Sequence, residues 1–158
     1  HCGSVRFEVV APHPYPYLLC YCSICRKTAG GGGYAINLGA RFETLWVEGR
    51  EHVRIYRPKI RHADTGEVEI SPGERHFCRH CGSALWAWDP RWPELVHPHA
   101  SAIDTPLPVT PDHTHMMLGS KAGWVPVHAQ PHDKFFEKYP DESLAEWHRR
   151  HGLEQSGS

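Results

Sequence analysis

Six cysteines constrain this chain more than any other feature, because they fall in three tight groups. They are Cys2, then Cys20-Tyr21-Cys22-Ser23-Ile24-Cys25, then Cys78-Arg79-His80-Cys81. An even count would suit the disulfide framework of a small secreted protein. Such frameworks are shorter and denser in cysteine, whereas a chain of 158 residues can build a core without bridges. The spacings Cys-x-Cys-x-x-Cys and Cys-x-x-Cys-Gly instead bring thiolates together on one tight turn, where they can share a tetrahedral cation. Thiolate-rich donor sets select zinc or iron–sulfur, and neither ferredoxin spacing is present, so zinc comes first. Zinc thiolates belong to a reducing compartment, which points to the cytoplasm.

Glycine follows Cys2 and Cys81. A glycine there lets the backbone turn with positive φ and aim N–H groups at sulfur, so the two Cys-Gly pairs read as halves of one closed site. That site holds Cys2, Cys78 and Cys81 and is one ligand short. His1 adjoins Cys2 too closely to chelate the same ion well, so a cysteine is expected to precede His1 in the full-length protein. Cys20, Cys22 and Cys25 supply three further ligands, and three protein donors with an open position make a reactive zinc. The alternative is a histidine that closes this second site as a staple. Among 14 histidines, His76, His80, His97 and His99 are the candidates.

Two positive charges against three thiolates leave the second site net negative, a poor setting for activating water. Soft zinc suits a substrate thiol held as thiolate, and the natural partner of a thiolate is a small electrophile such as an aldehyde. Arg26 and Lys27 follow Cys25 directly. They read either as solvated surface or as receivers for the carboxylates of a small thiol such as glutathione. Gly30 to Gly33 follow, in which Gly31 and Gly32 would let a backbone approach a ligand; a flexible hairpin is the other reading. No Lys-Ser or Lys-Thr follows the glycines, so this is not a phosphate loop.

A formal net charge of −1 gives no field for a phosphate backbone, so nucleic acid is not an expected partner. No apolar run approaches the ~20 residues that span a bilayer, so no membrane is expected either. One domain over residues 1–153 is expected, with a disordered tail at 154–158. Period-two alternation and frequent Gly and Pro predict a mainly β domain. Strands are predicted over Ser4–Val10, Tyr34–Leu38, Leu45–Val47, Val53–Tyr56, Glu67–Ile70, Ala84–Trp88, His115–Leu118 and Trp124–Val127. Val53, Ile55, Val68 and Ile70 are read as one-faced apolar sets. One short C-terminal helix is predicted, with Asp141 or Ser143 as N-cap, Leu144 and Trp147 facing inward, a Glu146–Arg150 pair and Gly152 as its stop. The basic run at its end, His148 to His151, suits a helix C-terminus.

The segments His1-Cys2-Gly3-Ser4-Val5-Arg6-Phe7, Cys20-Tyr21-Cys22-Ser23-Ile24-Cys25-Arg26-Lys27 and Phe77-Cys78-Arg79-His80-Cys81-Gly82-Ser83 resemble the glutathione-dependent formaldehyde-activating enzyme family, also called Gfa-like or centromere-protein-V-like. Ser101-Ala102-Ile103-Asp104, His115 and Lys121-Ala122-Gly123-Trp124 are similar to further family segments. The resemblance implies an Mss4-like β-tent and two zinc ions. A structural zinc would take Cys2, Cys78 and Cys81, and a catalytic zinc would take Cys20, Cys22 and Cys25. It also implies a carbon–sulfur lyase acting on thiol–aldehyde adducts. A non-catalytic zinc-stapled binding module is the competing expectation.

Overall fold

The computed structural model describes residues 1–110 and 112–153. The expected tail lies outside them. Thirteen strands and two α-helices appear among the described residues. The strands are β1 (Arg6–Glu8), β2 (Tyr17–Cys20), β3 (Ala35–Asn37), β4 (Ala40–Arg41), β5 (Trp46–Glu48), β6 (Val53–Tyr56), β7 (Lys59–Arg61), β8 (Val68–Ile70), β9 (Glu74–Cys78), β10 (Ala84–Trp88), β11 (Leu95–Pro98), β12 (His113–Met116) and β13 (Lys134–Phe135). The helices are α1 (Ser23–Ala29) and α2 (Leu144–Arg150). The architecture is the mainly β one that the alternation predicts, with its short C-terminal helix.

Two sheets carry the fold. One runs β4-β11-β10-β9-β6 and the other β13-β12-β2-β3, with β1–β5 and β7–β8 as separate two-stranded pairs. Antiparallel β9 and β10 place Cys78 just before a tight turn. In the second sheet β2 lies between β12, which runs parallel to it, and antiparallel β3, with Cys20 opposite Met116 and Ala35. The two sheets touch at a bridge between Asn37 and His99, where the Leu38 N–H also donates to Pro98 O at 2.9 Å.

The core follows the sheets. Trp86, Leu85, Val96 and Ala40 are buried together, with Val5, Phe7 and Val9 packed on them; Phe7 meets Trp86 edge-on at 5.2 Å. Tyr17, Leu19, Tyr21, Leu38 and Val125 form a second cluster. Cys20, Cys25, Ala35 and Met116 form a third, so two cysteines are core residues in their own right.

Several expectations need correction. Trp124–Val127 is no strand: the Val125 N–H closes a turn on Ala122 O at 3.0 Å and Lys121 Nζ donates to Val125 O at 2.8 Å. This loop plugs Val125 into the core and leaves Trp124 exposed. His115–Leu118 shifts to His113–Met116, because Leu118 begins a 3-10 turn instead. Ile55, Val68 and Ile70 lie on strands but are exposed, since β6 is a sheet edge and β7–β8 is a free-standing hairpin. On α2, Arg150 reaches Glu142 at 2.6 Å and not Glu146. The Glu146 carboxylate is taken by the Ser143 N–H at 2.7 Å, while Ser143 Oγ accepts from the Glu146 N–H, a capping box.

Candidate metal centres

The first cluster is built from two like turns, Cys2-Gly3-Ser4 and Cys81-Gly82-Ser83. Gly3 and Gly82 have φ of +78° and +73°, the left-handed region that a side chain would disfavour. Each turn returns a serine hydroxyl to its own cysteine: Ser4 Oγ lies 3.4 Å from Cys2 Sγ, and Ser83 Oγ lies 3.2 Å from Cys81 Sγ. Cys78, at the end of β9, completes the set at 3.6 Å from Cys2. The three sulfurs lie within 4.8 Å of one another. The Ser83 hydroxyl, then its backbone N–H, pulls the exposed Cys81 thiol down to about 5, and the Ser4 hydroxyl lowers Cys2 in the same way. The pairing of the two Cys-Gly halves read from the sequence is therefore the arrangement seen.

The second cluster differs locally from the single tight turn that its spacing suggests. Cys20 ends β2, and Cys22 is the N-cap of α1, its sulfur accepting the Cys25 N–H at 3.3 Å. Cys25 lies in the helix's first turn. Strand end, cap and helix turn bring the three sulfurs within 4.8 Å of one another, with Cys20 and Cys25 buried and Cys22 half-buried. Among the described residues the grouping stops at three donors.

Three sulfurs this close cannot all ionise without a cation. Hydrogen bonds from Cys20 and Cys25, followed by the backbone N–H groups of Cys25 and Ile24, hold Cys22 far below the usual thiol range. Sharing with Cys22 pushes Cys20 up, and burial adds to the rise. A soft divalent ion that takes all three as thiolates removes this conflict, and donor set and spacing fit zinc.

Around the cluster lie further polar groups, of which the sequence singled out only His99 and His115. Asn37 Nδ2 donates to Cys25 Sγ at 3.8 Å, and Asn37 Oδ1 meets His99 Nδ1 at 3.0 Å. Tyr21, between two of the cysteines, is buried, with its hydroxyl 2.9 Å from His115 Nδ1; His115 Nε2 donates to Asp133 Oδ2 at 2.8 Å. Burial first, then the neighbouring Tyr34 and Asp133, pushes Tyr21 up to about 12. The doubled Cys-Gly-Ser string could have pointed to Ser4 and Ser83. Asn37 carries no comparable sequence signal.

Among the described residues none of the four histidines considered as closing ligands joins the second cluster, although His76 Nδ1 is buried without a partner. His76 Nε2 lies 3.3 Å from Glu74 Oε2 and stacks on Trp86. His80 meets His52 at 3.1 Å, His97 Nδ1 meets Leu38 O at 3.1 Å, and His99 holds Asn37.

Beyond the cluster, Arg26 and Lys27 of α1 and Gly31 just after it line an open cleft of about 360 Å³, together with Ser83 and Ser101. Gly32 is exposed beside it and is not among the lining residues. The six sulfurs do not line the cleft, but Ser83 touches both it and the first cluster. The Arg26 Nε is buried without a hydrogen-bond partner. Of the glycine run, Gly30 and Gly33 serve the fold: a Cβ on Gly30 would lie 2.2 Å from Tyr34 O, and one on Gly33 would lie 2.2 Å from Val125 Cγ2.

Comparison with known proteins covers all six cysteines. A family model described as glutathione-dependent formaldehyde-activating enzyme matches residues 1–119. A Halomonas elongata protein that carries the provisional name glutathione-dependent formaldehyde-activating enzyme is 60% identical over 155 residues, 98% of this chain and 95% of that protein. A crystal structure of a Rhodobacter sphaeroides protein is 26% identical with a TM-score of 0.51, covering 68% of this chain and 87% of that one.

Proposed function

The chain belongs to the glutathione-dependent formaldehyde-activating enzyme family, and from that premise we propose that it is a zinc-dependent carbon–sulfur lyase acting on adducts of glutathione and formaldehyde or a related small electrophile. The supporting observation is a three-donor cluster, Cys20, Cys22 and Cys25, at the start of the helix that also presents Arg26 and Lys27 to a cleft. Zinc held there would supply a soft Lewis-acid centre that keeps a substrate thiol ionised near neutral pH. Cys2, Cys78 and Cys81 would hold a second zinc in a structural role. A chain that keeps these thiols reduced belongs in a reducing compartment, here read as the cytoplasm.

In the proposed reaction the glutathione sulfur bonds to the aldehyde carbon, the C=O π pair moves to oxygen, and the thiol proton ends on that oxygen. Arg26 and Lys27, which line the cleft, receive glutathione carboxylates. Gly31 and Gly32 leave room for the peptide backbone of the substrate. The competing reading, a zinc staple without catalysis, needs a fourth protein donor at the second cluster, and among the described residues the grouping of donors there stops at Cys20, Cys22 and Cys25.

The reading is tested by following S-hydroxymethylglutathione formation with zinc-loaded protein. The expected outcome is a rate above the spontaneous one, lost in Cys22→Ser. In Arg26→Ala, KM should rise about tenfold with kcat nearly kept, as for a lost hydrogen bond to a charged group. No acceleration, together with no effect of glutathione on the bound metal, would overturn it.

A further inference from the structure

Two sulfurs of the second cluster, Cys22 and Cys25, accept N–H hydrogen bonds. Cys22 has the backbone N–H of Cys25, a donor that no side-chain substitution removes. Cys25 receives its N–H from a side chain, Asn37, which stands at the end of β3 where the two sheets touch. That donor can be deleted.

The amide is held in one orientation from both ends. One face looks at Cys25 Sγ at 3.8 Å and the other at His99 Nδ1 at 3.0 Å. Turned over, the amide would set its carbonyl oxygen against a thiolate, two acceptors with no proton between them. The observed orientation gives the NH2 to sulfur and leaves Oδ1 to accept from His99 Nδ1–H. His99 has little freedom to release it, being 2% exposed with its backbone N–H bonded to Leu85 O at 3.0 Å. Partners one layer out from a metal ligand orient it and tune its donor strength.

We propose that Asn37, locked by His99, is a positioning residue that draws electron density off the Cys25 sulfur, so setting how tightly the second cluster holds zinc and how slowly Cys25 reacts with electrophiles. The inference rests on the zinc reading above and extends it. A site that handles an aldehyde exposes its own thiolates to alkylation, and an N–H aimed at one of them makes it the poorer nucleophile.

The test compares wild type with Asn37→Leu, Asn37→Asp and His99→Phe, each loaded with zinc or cobalt(II). In Asn37→Leu, zinc affinity measured against a chromophoric chelator should fall about tenfold, the low end for an outer-layer partner. The sulfur-to-cobalt charge-transfer band should move to longer wavelength, because a more electron-rich thiolate is easier to oxidise. Cys25 alkylation by iodoacetamide, read peptide by peptide, should speed severalfold in the zinc-loaded protein. Asn37→Asp adds a negative charge against the sulfur and should lose more affinity than the leucine variant. His99→Phe frees the amide to turn and should show part of each effect. Variants with a lower Tm when metal-free, but with the wild-type band and Cys25 reactivity, would overturn the proposal and leave Asn37 a packing residue. Wild type that loads no metal on Cys25 would overturn the zinc reading and this inference together. Wild type that loads, with variants indistinguishable from it, would overturn this inference alone.

Discussion

At Gly82 the first cluster depends on a single torsion angle. Its φ of +73° lets the chain fold back so that Ser83 reaches Cys81 and Cys78. A methyl group there would meet nothing within 4 Å, so the whole cost of Gly82→Ala is backbone strain. Left-handed φ costs an L-residue about 1–2 kcal/mol, which for a domain of this size is about 2–8 °C in Tm. Gly31, exposed and with equally free space, has no such angle. Gly31→Ala should therefore stay within about 0.5 kcal/mol of wild type. Thermal unfolding of the two variants side by side checks this; equal losses would remove the turn geometry from the account. The sequence already held the residue types, because Cys-Gly occurs twice. It could not show that the serine after each glycine returns to the sulfur, since that contact exists only once the turn has closed.

Among the elements, β2 and α1 were the least legible, and they carry the second cluster. Tyr17-Leu18-Leu19-Cys20 has no alternation because three of its four residues are buried, and strand and buried helix look alike over so short a run. Helix α1 has seven residues and takes a cysteine sulfur as its cap, which no capping signature anticipates. Strand β9 was missed because Glu74-Arg75-His76 reads as surface, yet Glu74 is buried beneath its ion pair with Arg57. Val5 to Val9 was legible because it alternates and turns one face inward, and Ala84 to Trp88 because it is a short apolar run bounded by Gly82 and Pro90, with Leu85, Trp86 and Ala87 all buried. What steadies β2 against β12 is the buried Tyr21–His115–Asp133 chain. The Tyr21 hydroxyl is the hydrogen-bond partner of the buried His115 Nδ1. Tyr21→Phe leaves that nitrogen buried without a partner, at a cost of about 1–3 kcal/mol. Denaturant unfolding of the metal-free protein should show this loss, and Ser143→Ala at the α2 cap should lose about 1 kcal/mol independently. A double variant whose loss departs from the sum would mean that the two regions are coupled.

For the molecule as a whole, the junction of the two sheets at Asn37 and His99 ties the second cluster to overall stability. His99 is held neutral in the fold at about 4, by burial first and then by the nearby positive Arg75 and by His97. In the unfolded chain the same ring titrates near the ordinary histidine value of about 6.5. The native state therefore binds fewer protons than the unfolded state between these values, so stability increases with pH across that window. The contribution is complete above about 6.5, declines as pH falls, and is gone below about 4. At roughly 1.4 kcal/mol per pH unit it amounts to about 3 kcal/mol. Asp133 acts lower on the scale. Burial raises its carboxyl, but the backbone N–H of Gln130, then His115 and the His113 N–H, outweigh that and hold it below the usual carboxylate range. Its share is thus kept until the pH falls through that range. The two are separated by urea unfolding of metal-free, reduced protein at pH 7, 5.5 and 4.5, which removes the acid release of zinc from the comparison. Wild type should lose stability steadily over this range while His99→Gln, less stable at pH 7, shows a flatter dependence. Parallel slopes for the two proteins would mean that His99 titrates in the fold as it does in the unfolded chain, and the sheet junction would then need a different account of its charge.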